Sequence, residues 1–162
     1  MTRRGLAGIE ASLGLALRTF AVALFVGIAV LMTATVLHRF VPVGSMEWTD
    51  EIIELLLVWL VFTGTAEVWR VRQHFYVEIV PLAVAGTRHA RAYRLALSAA
   101  CLAFIALFTW QSFDLCLRAV DLSPHFSLPR PLWYGAMPFN GFLMCLFSLR
   151  ELHGIWRDSA RA

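Results

Sequence analysis

The chain contains no lysine. All 14 cationic side chains are arginine, set against 11 acids, and charged residues of both signs make up only 15% of the 162 residues. Soluble domains carry about 25% charge, so a surface wetted on every side is excluded. Cysteine is nearly as scarce. Cys101 and Cys116 stand 15 residues apart, about 22 Å along a straight helix and beyond disulfide reach, Cys145 lies in a later segment, and no CxxC occurs. A disulfide framework and a two-pair thiol relay are thereby excluded, and the three cysteines read as apolar packing residues. Histidine is absent from the long apolar runs. His38, His74, His89, His125 and His153 all lie at ends or in loops, which excludes haem ligation between facing helices. There is no HExxH, GxSxG or P-loop spacing. No catalytic residue, no cofactor site and no metal site is expected.

What is present is apolar. Hydrophobic residues make up 59% of the chain and mean hydropathy is +0.68, the signature of an all-α integral membrane protein. A helix crossing a hydrocarbon core of about 30 Å needs about 20 mostly apolar residues. Three uncharged runs approach that length: Thr19 to Leu37, Leu95 to Phe113 and Leu132 to Leu149. A fourth, Leu55 to Ala66, would rise only about 18 Å and spans only when extended to 52–69, with Glu54 and Glu67 at the two membrane edges. Four transmembrane helices are therefore expected, at about 19–37, 52–69, 95–113 and 132–149, in one compact membrane domain covering 1–162. Residues 5–17 either extend the first helix or lie along the interface. The uncharged run behind Arg3 and Arg4 is longer than a signal-peptide core, so it reads as a retained helix.

Arginine sets the orientation. With the N-terminus inside, only Arg39, Arg118 and Arg130 of the 14 fall in outer segments, which places both termini in the cytoplasm. Interfacial aromatics agree: Trp48, Trp110, Trp133 and Tyr134 fall at outer ends, and Trp69, Tyr76, Tyr93 and Trp156 at inner ones. The net charge of +3 then faces anionic membrane lipids, and no nucleic-acid partner is expected.

The residues that call for a reading cluster in the second span, "WTDEIIELLLVWLVFTGTAEVWRVRQHFYVEIVP" from Trp48 to Pro81. Trp48 suits the headgroup layer, while Glu51 and Glu54, one turn apart at the outer entrance, either complement the helix dipole or contact another subunit. Trp59 and Phe62 are packing residues in the null case. Thr63, Gly64, Thr65 and Ala66 form a small-residue patch where a helix of this chain or of a partner can cross. Glu67 stands one turn before Arg70, where an i,i+3 ion pair lowers the cost of an acid at the membrane edge. His74 shares a face with Arg70, and Glu78 lies four residues on, unless Pro81 has already ended the helix. In the last span Asn140 is the polar residue at mid-depth, suited to an interhelical hydrogen bond. Pro138 kinks that span, and Gly135 and Gly141 let a neighbour approach.

Trp48 and Glu51, then Trp59, Phe62 and Gly64, then Arg70, His74, Val77 and Glu78 together resemble the small membrane subunit, DctQ-like, of tripartite ATP-independent periplasmic (TRAP) transporters. Two positions depart from that pattern: Glu54 stands where the family often has arginine, and Glu78 where it usually has aspartate. The resemblance implies a permease subunit of a bacterial inner membrane. Its partners would be a large permease subunit and a periplasmic solute-binding protein, and the complex would take up an organic acid anion by symport with an ion, commonly sodium. This chain would be scaffold, and would help to dock the binding protein. Two other classes remain open: the membrane anchor of a redox complex, and a small stand-alone carrier.

Overall fold

In hydrocarbon a backbone must satisfy its own hydrogen bonds, and this chain does so with helices. The computed structural model describes residues 3–41, 47–71 and 90–159. Its elements are α1 (Arg3–His38), α2 (Trp48–Arg70), α3 (Ala90–Arg118), the short α4 (Pro131–Tyr134) and α5 (Ala136–Ser159). Among the described residues four stretches are long and apolar enough to cross a membrane: 10–38, 48–70, 92–118 and 131–157. The protein is thus an all-α, four-span membrane protein. Hydroxyls inside the spans are absorbed locally, with Thr33, Thr65 and Thr109 each donating to the carbonyl one turn back at 2.7–2.8 Å.

The boundaries differ from the apolar runs for identifiable reasons. Residues 5–17 continue the first helix, so α1 has 36 residues and is about 54 Å long, well beyond the hydrocarbon thickness. α2 begins at Trp48 rather than 52, which brings Asp50 and Glu51 into its first turn, where the helix dipole favours acids. The fourth span is interrupted. Pro138 has no N–H to offer the Tyr134 carbonyl, so the hydrogen-bond ladder breaks between α4 and α5 while Gly135 keeps a helical backbone, φ −60° and ψ −23°.

Among the described residues the long helices do not close into a ring: α1 packs along α2, α2 along α5 and α5 along α3, whereas α1 and α3 are not packed together. The arrangement is an open row with α2 and α5 at its centre. Phe62 and Phe108 bridge α2 and α3 by stacked rings 6.1 Å apart. The enclosed core is small, Ala66, Ile105 and Met144 with Trp69 and Cys145 packed against it. Large apolar side chains such as Phe25, Phe104 and Trp110 point outward instead, as lipid or a partner helix requires.

Gly141 makes the tightest seam. A Cβ there would collide with the Thr109 hydroxyl of α3, which already lies 3.8 Å from the Cys145 thiol of α5. At Gly64, by contrast, a Cβ would meet nothing within 4 Å. Gly141→Val is therefore expected to cost about 1–3 kcal/mol through overpacking. Gly64→Ala should be neutral, or stabilise by up to about 1 kcal/mol through helix propensity. Thermal unfolding of the purified protein in detergent, followed by circular dichroism, checks both. Equal midpoints for the two variants would count against the seam.

Candidate functional site

The second span carries polar groups at both ends, and each end is fastened to a different part of the chain. At the C-terminal end Glu67 and Arg70 share a face of α2 because they stand one turn apart. Arg70 donates from Nε to Glu67 Oε2 and from a terminal nitrogen to Oε1, both at 2.7 Å, a two-pronged ion pair. Arg18 of α1 donates to the same Oε1 at 2.6 Å. The Glu67 and Arg70 side chains are only 12% and 18% exposed, while Arg18 is 61% exposed. The expected pair at 67 and 70 is present, and the second guanidinium comes from 49 residues away in sequence.

Gly14 makes room for this cluster. It is buried one turn before Arg18, and a Cβ on it would lie 2.5 Å from the Arg70 guanidinium carbon. Two more polar contacts tie the neighbouring ends. Trp69 donates to the Ser148 hydroxyl of α5 at 2.8 Å, and Arg150 of α5 pairs with Glu10 of α1.

At the N-terminal end the acids of α2 hold the segment 119–130 that joins α3 to α4. Glu51 is 7% exposed and accepts the His125 backbone N–H at 3.1 Å. Glu54 pairs with Arg130 at 3.4 Å, and that guanidinium lies over the Trp133 ring, 5.4 Å from its centroid. Glu47 faces the His125 ring at 3.7 Å, and Trp48 meets Phe126 edge-on at 6.3 Å. Sequence offered two readings for Glu51 and Glu54, dipole partner or subunit contact. The structure adds a third, since both carboxylates are engaged by this chain's own loop. Position 54 thus forms its ion pair with the signs set by Arg130.

The middle of the span is aromatic. Trp59 packs on Phe20 of α1 and Phe139 of α5, and donates to the Leu132 carbonyl at 3.0 Å, beside the break before α5. The small-residue patch is divided: Thr63 and Ala66 are buried inside this chain, whereas Gly64 faces open space. Asn140 corrects an expectation. It is fully buried, yet its amide donates to the Ala136 carbonyl of its own helix at 2.9 Å and not to another helix. The carbonyl one turn back is always in reach, and no side chain from a neighbouring helix competes for it among the described residues. Pro138 lies between them and lines an apolar groove of about 590 Å³ with Thr109, Trp110, Phe113 and Phe142. His74 and Glu78 fall outside the described residues.

Sequence reasoning missed Gly14, Arg18, Arg130 and His125 as contributors. Only Gly14 and Arg18 left a signal, a glycine and a cation at one-turn spacing on the inner end of the first helix. Removing charge at position 67 should be costly because it leaves Arg70 half-buried and unpaired. Glu67→Gln is expected to destabilise by about 3 kcal/mol, the low end for breaking a buried pair. Arg18→Gln, at an exposed position, should cost under about 1 kcal/mol, as should Asp114→Asn in the exposed Asp114–Arg118 pair. Urea or thermal unfolding in detergent ranks the three, and an Arg18 variant as damaged as the Glu67 variant would overturn this ordering.

No curated protein matches the chain. A family model described as "Tripartite ATP-independent periplasmic transporters, DctQ component" matches residues 28–158. That span takes in the outer acids with their loop, Trp59 and Glu67, and leaves Gly14 and Arg18 outside it. A match over most of the chain shows the family: the chain belongs to the DctQ component of tripartite ATP-independent periplasmic transporters.

Proposed function

We propose that this chain is the small permease subunit of such a transporter in a bacterial inner membrane, with both termini cytoplasmic. A large permease subunit moves an organic acid anion by symport down an ion gradient, and a periplasmic solute-binding protein delivers it. This subunit widens the stationary scaffold. The observation that carries the reading is the open row of helices among the described residues: α1 packs mainly along α2, and apolar side chains cover the outward faces. Such a row leaves broad faces for a membrane partner.

The distribution of charge supports the same division of labour. Ion-coupled carriers place ionisable groups near mid-membrane, where they bind the permeant. Here the acids of α2 sit at its two ends, each engaged with arginines or the loop of this chain. Trp48, Phe62, Gly64, His74 and Glu78 are proposed as contacts to partners or to the headgroup layer. The substrate and coupling-ion sites belong to the large subunit.

An affinity tag on this chain should recover a large multi-helix permease from membranes. In proteoliposomes the chain alone should give no uptake, and uptake should require both partners together with an ion gradient. Transport by the isolated chain would refute the scaffold role. A cysteine at position 127 should label from the outer side of intact spheroplasts, whereas one at position 159 should label only after permeabilisation; the reverse pattern would invert the topology.

A further inference from the structure

We propose that Arg18 holds the phosphate of an anionic phospholipid whose acyl chain lies along the outward face of α1. The first argument is depth. The uncharged run that follows Arg18, Thr19 to Leu37, has 19 residues and rises about 28 Å, close to the hydrocarbon thickness of about 30 Å. Arg18 therefore stands at one boundary of the hydrocarbon, where lipid phosphates begin. It also precedes residues 28–158, the stretch that the family model matches, so the site goes beyond what that match covers.

The second argument is charge. Arg70 engages both oxygens of Glu67, so that carboxylate is already matched before Arg18 adds its bond. The adjoining pair, Arg150 with Glu10, balances itself. Three arginines thus answer two glutamates, and the unmatched charge falls to Arg18, the most exposed of the three guanidinium groups. Arg18 donates from Nε alone. Its two terminal nitrogens, which carry four N–H groups, have no acceptor among the described residues. At the hydrocarbon boundary such donors require an anion or water.

Geometry selects the occupant. Because Glu67 holds Nε at 2.6 Å, the far edge of the guanidinium stays open, with its terminal nitrogens side by side in the fork that matches two phosphate oxygens. Glu67 is itself clamped by Arg70, so the fork is anchored before any ligand arrives. Val22, Phe25 and Ala29 follow Arg18 at i+4, i+7 and i+11, on the same face of α1, and all three are exposed. This stripe runs about 17 Å from Arg18 toward the membrane centre, about the depth of one leaflet of acyl chains. A free phosphate ion engages the fork only, whereas a phospholipid engages fork and stripe together.

Native mass spectrometry of the delipidated full chain in detergent, titrated with phosphatidylglycerol or phosphatidylcholine of matched acyl chains, tests the site. The wild type is expected to bind phosphatidylglycerol about tenfold more tightly, since the choline cation neutralises the other headgroup. Arg18→Gln should abolish the preference, and Arg18→Lys, which keeps the charge and loses the fork, should reduce it about threefold. Arg118→Gln, an exposed cation on α3, should leave it unchanged, and circular dichroism should show wild-type helix content in all three. Excess inorganic phosphate should not displace the lipid. Displacement would assign the fork to a free phosphate ion and overturn the lipid reading, as would a wild type without preference or an Arg118 variant that loses it. The same titration is repeated on the transporter isolated through this chain. Loss of the preference there would show an acid of the large subunit on Arg18 and overturn the proposal, whereas failure to isolate any transporter overturns the functional reading alone.

Discussion

A carboxylate at the end of a membrane-spanning helix must be neutralised, and the packing of the first two helices follows from how this chain meets that demand. Glu67 is held by a two-pronged Arg70 and by Arg18. Because the second cation comes from α1, the ion cluster fixes the register of α1 against α2. Because the Arg70 guanidinium fills the space beside α1, position 14 has no room for a side chain. The length of α1 belongs to the same arrangement: were residues 5–17 laid flat on the interface, Gly14 and Arg18 could not stand one turn apart against α2.

Polar fasteners matter here because lipid removes the usual adhesive. Between helices in hydrocarbon there is no hydrophobic drive, so association depends on close packing and on hydrogen bonds or ion pairs. The open row shows that division. Seams such as Gly141 against Thr109 are packed closely, and the ends of α2 are joined by Glu67 within, and by Glu51 and Glu54 without. Glu51 does two things at once, since it lies in the favoured first turn of α2 and pins the loop that leads to α4.

Much of the fold was legible from local pattern. Run length located four spans, and helical spacing alone placed Glu67 beside Arg70. Proline chemistry at Pro138 anticipated the interruption of the last span, though only the structure put the break at Gly135 and separated α4 from α5. Asn140 shows where local reading falls short: its type and depth suggested a bond to another helix, and its amide N–H donates to the carbonyl of Ala136 instead.

By itself the sequence determined the class, the number of spans and the pairing of Glu67 with Arg70 one turn away. These depend on apolar run length and on a period of 3.6 residues, both of which are local. Only the tertiary structure decided that Arg18 completes the Glu67 cluster, that Arg70 needs a glycine at position 14, and that Arg130 and His125 answer the acids of α2 from more than 70 residues away. Each of these depends on which helix lies beside which and at what height. In lipid every apolar face is equally acceptable to its surroundings, so periodicity carries no record of the neighbour.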